Sequence, residues 1–220
     1  MKYPKNKQVI LGYYFLAITG LGLILLPFYK KGEPELVINA LHHPFFDAFF
    51  SMITHLGDGV IPVIFLGFII FNKYCYLALL TFATIIHLGL VHLGKKWLFH
   101  GMPRPAEFFK DIPFYNVPGV ELHHWGSFPS GHSTTAFMLA SFLFLIVPKR
   151  SKVHTLIMMI AFLVAFSRVY LMQHFLVDIW AGALLGISSS LVSYYLILKF
   201  FSKKVHQKSI LHDLKIKPSF

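Results

Sequence analysis

Three stretches of the chain run without a charged residue for the length of a membrane crossing: residues 9–29 (21 residues), 74–93 (20 residues) and 179–198 (20 residues). A helix rises about 1.5 Å per residue, so roughly 20 apolar residues cross the hydrocarbon core. Each stretch therefore predicts a transmembrane helix. Three shorter apolar runs, 59–72, 133–147 and 155–167, are bounded by charges or by Pro148. Extended into their apolar neighbours they predict three more crossings; the alternative is buried half-helices. The first run follows Lys2, Lys5 and Lys7, as the core of a signal peptide would. It is too long for one, and no small-x-small cleavage site follows Leu26-Pro27-Phe28-Tyr29, so it reads as a retained anchor. Between the first two runs, residues 35–56 carry apolar side chains at Leu36, Val37, Ala40, Leu41, Phe45, Phe49, Met52, Ile53 and Leu56. That spacing predicts an amphipathic helix. Because His42, His43 and Asp47 interrupt it, the helix is expected to lie in the interface rather than to cross. The expected fold is all-α: a polytopic membrane bundle of six transmembrane helices, with an interfacial helix between spans 1 and 2. One membrane-embedded domain covers residues 1–202, and a polar basic tail covers 203–220.

Composition agrees. The 220 residues are 56% apolar and 13% charged, against about 25% charged in soluble domains. That argues against a soluble globular domain and rules out a charge-rich disordered chain. The single cysteine, Cys75, excludes an intramolecular disulfide and any cysteine-based metal cage.

The net charge of +11 changes the picture only through its distribution. With the amino terminus in the cytoplasm and six alternating spans, the cytoplasmic pieces are residues 1–8, Lys73, 148–154 and 199–220. They hold 13 Lys and Arg against one acid, Asp213, whereas the opposite side holds 7 against 8 acids. A basic excess confined to short cytoplasmic segments is the positive-inside pattern. It accounts for the charge by topology and anionic lipid, without a nucleic-acid partner. Both termini are then cytoplasmic. The connections 94–132 and 168–178 each follow an odd-numbered span, so they emerge together on the extracytoplasmic face.

Those two connections hold the ionisable residues that do not fit a bare anchor. Arg168, His174 and Asp178 sit at the mouths of apolar helices, where charge is costly. His174 and Asp178 are four apart and share a helix face. A carboxylate beside an imidazole fixes its tautomer and supports positive charge on it, which suits a histidine nucleophile or base. Ser130 and Gly131, in Pro129-Ser130-Gly131-His132, open the fourth apolar run. Gly131 permits a tight turn and Ser130 caps a helix start, whose free amides attract an oxyanion. Such turns also occur without any ligand, and a lone Lys96 or Arg104 in the loop would equally serve a lipid headgroup. Together the parts describe an anion site: three cations, a helix start, one orienting carboxylate and two histidines. Phosphoryl transfer needs little beyond positioning and charge stabilisation. One histidine can attack phosphorus while the other protonates the leaving oxygen.

The order Lys96…Arg104-Pro105, then Pro129-Ser130-Gly131-His132, then Ser167-Arg168-x5-His174-x3-Asp178 resembles the three signature motifs of the type 2 phosphatidic acid phosphatase superfamily. The last two motifs match without a gap. The first departs: the family places six residues between its lysine and Arg-Pro, whereas Lys96 leaves seven and Lys95 leaves eight. The resemblance implies a metal-independent phosphatase of lipid phosphates with no cofactor. On it His174 would form a phosphohistidine, Asp178 would orient His174, and His132 would protonate the leaving alcohol and then activate water. Lys96, Arg104, Arg168, Ser130 and Gly131 would hold the phosphoryl oxygens. The family also includes soluble vanadium haloperoxidases, an activity against which the six spans argue.

The expected partners are a phosphorylated membrane lipid and the bilayer. The expected location is a bacterial inner membrane. Undecaprenyl pyrophosphate, phosphatidylglycerol phosphate, phosphatidic acid and lipid A all carry an anionic head at that surface. Two rival readings remain: transfer of the phosphoryl group to a second lipid, and a non-enzymatic transporter or scramblase whose intramembrane charges line a path. Of the 13 histidines, His87, His92 and His100 could be imagined as zinc ligands, while the adjacent His123 and His124 point apart. Trp97, Phe99, Phe108, Phe109, Tyr115 and Trp125 read as an interfacial aromatic belt.

Overall fold

Prolines and glycines set the boundaries of the helices in the computed structural model, which describes residues 5–147 and 151–200. Helix α1, Lys5–Leu25, ends in a short 3₁₀ turn at Pro27. Helix α2, Glu33–Ala40, opens behind Gly32 at φ 100°, with Pro34 in its first turn. Helix α3 is Pro44–Ile53, and a 3₁₀ turn, Thr54–Gly57, follows it directly. Then come α4, Ile61–Ile69; α5, Tyr74–Leu93; and a π-turn, Gly94–Leu98. A single helical turn α6, Pro105–Phe108, lies within the long connection. Helices α7, Gly131–Ile146, α8, Ser151–Tyr170, and α9, Leu176–Phe200, complete the bundle. No strand occurs among the described residues; an isolated antiparallel bridge pairs Pro103 with Trp125.

Among the described residues, four helical segments are long and apolar enough to cross a membrane: Val9–Phe28, Tyr74–Leu98, Lys152–Tyr170 and Leu176–Phe200. A fifth candidate is a broken pair, Pro44–Gly57 with Ile61–Ile69, bent by 56°. The expected amphipathic helix over 35–56 is therefore two helices, and its second half belongs to this bent pair. Pro44 is the cause. The residue before a proline is driven out of the helical region, and His43 is extended at φ −154°, ψ 140°. The run 133–147 is helical but short. Sixteen residues give a helix about 24 Å long, and α7 is set apart from the long candidates as a shorter apolar helix. The expected tail 203–220 and the basic Lys149 and Arg150 lie outside the described residues.

Helix α7 is the axis of the bundle. Twelve of its 16 residues are buried, against α5, α8, α9 and the 3₁₀ turn. Its apolar composition on all sides is what a fully enclosed helix requires. Helix α9 packs closest, through small residues. A β-carbon on Gly186 would stand 2.5 Å from the Thr134 carbonyl oxygen, and one on Gly182 would stand 2.7 Å from that of Ser130. The G-x3-G spacing lets the two backbones touch. Side-chain hydrogen bonds tie the layers where lipid offers no competing partner. Ser190 Oγ donates to Met138 O at 2.8 Å, Ser193 Oγ donates to Leu79 O at 2.7 Å, and Thr135 Oγ1 pairs with His87 Nε2 at 3.2 Å. Helix α1 is tied to the bundle at two places. Trp180 Nε1 donates to Ile18 O at 2.8 Å, and Lys7 Nζ donates to the carbonyls of Leu145 and Val147 at the end of α7. A cation suits that negative helix terminus.

Candidate active site

Three connections meet at the end of the bundle where α7 and α9 begin and α8 ends. The turn from α8 to α9 is built by backbone bonding. The amides of Gln173 and His174 both donate to the Arg168 carbonyl, at 2.9 and 3.0 Å, and Met172 takes φ 54°. Five residues between Arg168 and His174 are thus the length of a helix C-terminal cap that reverses the chain. Met172 is held in its left-handed conformation by burial against Phe109 and Phe175. The long connection 99–130 folds back through the Pro103–Trp125 bridge, with Arg104 N donating to His124 O at 2.8 Å. That places Arg104 beside the α8–α9 turn. Ser130 caps α7, and its own amide donates to the Asp178 carbonyl at 3.1 Å.

His174 is buried, 1% exposed. Its Nδ1 lies 3.3 Å from Asp178 Oδ2. The same oxygen accepts from Ser127 Oγ at 2.5 Å and from the Phe175 amide at 3.0 Å. With Nδ1 engaged, Nε2 is the nitrogen free to react. Burial, followed by the charges of Arg104, Arg168 and Lys95, holds the His174 ring well below the ordinary imidazole value, so it is neutral. The two arginines converge on one amide: Gln173 Oε1 accepts from Arg104 Nη1 and from Arg168 Nη2, each at 3.4 Å. Arg104 is further anchored by Nε on Trp125 O at 3.0 Å, and Arg168 by Nη1 on Thr54 Oγ1 at 2.8 Å. Arg168 Nε is buried without a partner. Two adjacent guanidiniums repel unless an anion lies between or beside them. His132 stands on the first turn of α7, its Nε2 2.8 Å from Asp58 Oδ1. A cavity of about 300 Å³ opens among Thr54, Asp58, His132, Arg168 and Gln173.

Of the sequence-derived site residues, the structure brings together His174, Asp178, His132, Arg104, Arg168, Ser130 and Gly131. Lys96 is the exception: it is exposed, while the half-buried Lys95 lies in electrostatic reach of Arg104, Asp178 and Arg168. Both lysines lie in the π-turn, where the Phe99 amide donates to Gly94 O at 2.8 Å; its one extra residue per turn accounts for one of the two residues by which Lys95 exceeds the family spacing. Gly94 packs against the Pro129 ring, so this turn abuts the segment that starts α7. Sequence reasoning missed Thr54, Asp58, Ser127, Gln173 and Glu35. Gln173 lies inside the third motif, and Asp58 is a carboxylate immediately before an apolar run; both signals were legible. Glu35 was counted only as the start of an amphipathic stretch. It is buried, accepts from the Leu176 amide at 2.7 Å and from Gly32 N at 2.9 Å, and so ties α2 to the first turn of α9.

Among the described residues no three His, Cys, Asp or Glu side chains form a metal-holding group. His87 is buried on Thr135, whereas His92 and His100 are exposed. His123 lines the cavity, and its neighbour His124 pairs with Glu107 at 3.1 Å. The expected aromatic belt divides. Trp97 and Trp125 are exposed, but Phe109 is buried and Tyr115 donates its hydroxyl to Asp47 Oδ2 at 2.9 Å.

Comparison with known proteins matches residues 73–202 to the PAP2 superfamily. Phosphatidylglycerophosphatase B of Bacillus subtilis is 32% identical over 180 residues, covering 75% of this chain and 79% of that protein. The lipid A 4'-phosphatase of Porphyromonas gingivalis is 31% identical over 158 residues, covering 69% of this chain and 66% of that protein. The crystal structure of Aquifex aeolicus LpxE superposes with a TM-score of 0.66 at 29% identity, over 75% of this chain and 94% of that one. The transmembrane PAP2-type phosphatidylglycerolphosphate phosphatase of B. subtilis superposes at 0.60 and 25% identity, over 90% and 98%. With a family match over more than half its length, relatives that are lipid phosphatases and helices fit to cross a bilayer, the chain belongs to the PAP2 superfamily, as an integral-membrane phosphatase acting on lipid phosphates.

Proposed function

We propose that the chain hydrolyses a phosphomonoester or pyrophosphate of a membrane lipid through a phosphohistidine at His174. The observation that carries this reading is the Asp178–His174 contact beside two converging arginines. Nδ1 is fixed on the carboxylate, and the neutral Nε2 carries the lone pair. In the first step Nε2 forms a bond to phosphorus and the bond to the lipid oxygen breaks, with His132 giving that oxygen a proton. In the second, His132 takes a proton from water, the water oxygen bonds to phosphorus and the N–P bond breaks, restoring His174. Arg104, Arg168 and Lys95, with Ser130 and the Gly131 amide, neutralise the phosphoryl oxygens. Asp178 supports the positive charge that His174 carries while phosphorylated. No step in this scheme calls on a metal.

The topology proposed with it has six crossings, α1, α4 with its apolar neighbours, α5, α7, α8 and α9, and an interfacial segment, α2 and α3, between the first two; its support is that both ends of α3 meet the site end of the bundle, through His43 on Tyr170 and Thr54 on Arg168. The active site faces away from the cytoplasm of a bacterial inner membrane and both termini lie inside. The support is the basic excess on the short cytoplasmic segments and the gathering of the site at the α7 and α9 starts. Residues 1–202 would form the phosphatase domain and 203–220 a basic tail. The substrate class extends from the names of the relatives to phosphatidylglycerol phosphate and the phosphates of lipid A, and from the resemblance to undecaprenyl pyrophosphate and phosphatidic acid.

The test is phosphate release by purified protein, in chelator, from a panel of these four lipids. Release from none of them would end the reading. The pH profile is part of the result. The lowered His174 value keeps the nucleophile neutral as pH falls through 6.5, so kcat should persist there and fail only below the ordinary histidine range. Any stability that rests on the neutral ring follows the same sign: present above 6.5 and lost as pH falls towards the depressed value. A kcat that halves at 6.5 would assign the limiting group elsewhere.

The choice between the two lysines is tested separately. Lys95→Ala is expected to lower kcat/KM about 10²-fold, the usual cost of one transition-state donor. Lys96→Ala should stay within about twofold, as exposed charges do. Steady-state kinetics of the pair decides it, and the reverse order would return the role to Lys96.

A further inference from the structure

Asp58 and Glu121 both line the cavity beside the phosphoryl site, and the hydrolysis scheme leaves both unused; of the two, Asp58 touches a residue of that scheme. Asp58 lies between the 3₁₀ turn Thr54–Gly57 and α4. Its two oxygens hold two histidines: Oδ1 is 2.8 Å from His132 Nε2, and Oδ2 is 2.9 Å from His55 Nδ1. All three side chains line the cavity that also contains Thr54, Arg168 and Gln173. The backbone is built for this approach. A β-carbon on Gly57 would stand 2.9 Å from His132 Cβ and 3.0 Å from its carbonyl oxygen, so only glycine lets the turn come close enough for the next residue to reach the ring.

We propose that Asp58 is a positioning residue for His132, holding its proton-bearing Nε2 at the cavity wall until the leaving oxygen arrives. The inference rests on the reading of His132 as general acid. Burial, then the charges of Arg168 and Arg104 that the phosphoryl group requires, disfavour an imidazolium at His132. The carboxylate in contact opposes them and offsets part of that cost. As the P–O bond breaks, the Nε2 proton passes to the lipid oxygen, and the neutral ring is left against Asp58 to take a proton from the incoming water. His55, 72% exposed, holds the far oxygen of Asp58 and connects the pair to solvent. The two carboxylate–histidine pairs differ in the nitrogen engaged: Asp178 takes Nδ1 of His174 and leaves Nε2 to react, whereas Asp58 takes Nε2 of His132, the nitrogen that gives up its proton when the lipid oxygen replaces the carboxylate.

Leaving-group dependence tests this. The reporter is kcat/KM, which covers the chemistry up to departure of the first product. An alkyl phosphate such as a short-chain phosphatidic acid needs an acid; p-nitrophenyl phosphate releases a stable anion and does not. Asp58→Asn keeps shape and removes charge. It is expected to lower kcat/KM about 30-fold on the alkyl substrate and less than threefold on the aryl one, within the 10²–10⁴-fold range of general acid catalysis. His55→Ala, a surface change that does not threaten folding, should show the same split at about threefold. His132→Ala is the reference and should show the largest split. If His132→Ala splits the substrates and Asp58→Asn lowers both equally, or neither, Asp58 has no part in the acid step and the inference falls alone. If His132→Ala shows no split, the assignment of His132 falls, and this inference with it.

Discussion

Replacing His174 with alanine is expected to reduce phosphate release from the lipid substrate to background, a loss in kcat of at least about 10⁴-fold. The side chain does two things in the proposed reaction that no neighbour can take over. It supplies the nucleophilic nitrogen, and it is the group on which Asp178 acts. The remaining cations still bind phosphate, so KM should change far less than kcat. The physical signature is covalent. Wild-type protein quenched during turnover of a ³²P-labelled substrate should carry label in a phosphoramidate, stable to alkali and lost in acid. His174→Ala should carry none. His132→Ala should accumulate label with a substrate of good leaving group, because water is no longer activated. Label retained by His174→Ala, or turnover within tenfold of the parent, would remove His174 as the nucleophile.

The second large effect concerns packing. Gly186→Val is expected to lower Tm by about 6–12 °C. That is the shift an overpacking cost of up to about 3 kcal/mol produces in a chain of this size. The first atom of a new side chain at residue 186 meets backbone, 2.5 Å from Thr134 O and 2.7 Å from Met138 N. Backbone within a helix cannot turn aside as a side chain can, so α7 and α9 must separate. Separation also stretches the Ser190–Met138 hydrogen bond between the same helices. Activity should fall with stability, because α7 carries Ser130 and His132 while α9 carries Asp178. Gly89→Ala in α5 is the control. No atom lies within 4 Å of a β-carbon there, so a gain of up to about 1 kcal/mol from helix propensity is the expected outcome. Thermal unfolding of the two variants in detergent compares them; an unchanged Tm for Gly186→Val would show that the helices are not held apart by that contact distance alone.

The chain's reading as a membrane bundle was available from charge-free runs, since a helix that satisfies its own backbone is what an apolar run of that length can form in lipid. The shorter runs were less legible. Residues 133–147 look like a weak span because they are few, and only the structure reveals that the helix they form is the enclosed centre of the bundle. The break at His43-Pro44 had a local cause visible in the sequence, yet the apolar spacing on either side obscured it.

The site divides in the same way. His174 and Asp178, Ser130 and His132 stand at short fixed spacings, and helix geometry carries those relations along one element. Arg104 and Arg168 could be paired only by supposing that two distant loops share a membrane face. Their common partner, Gln173, is a matter of three-dimensional approach.

What the sequence determined by itself is everything that depends on neighbours along the chain: the long apolar helices, the charge asymmetry, the third motif's cap-and-turn spacing and the family. What only the tertiary structure decided depends on rotation and contact between elements. Lys95 is half-buried within electrostatic reach of Arg104 while Lys96 is exposed; Gly57 brings Asp58 to His132; Glu35 reaches the first turn of α9 from a different helix. Each of these is a phase or a distance set by packing, and residue order along a chain does not encode the angle at which a helix is turned until something is packed against it.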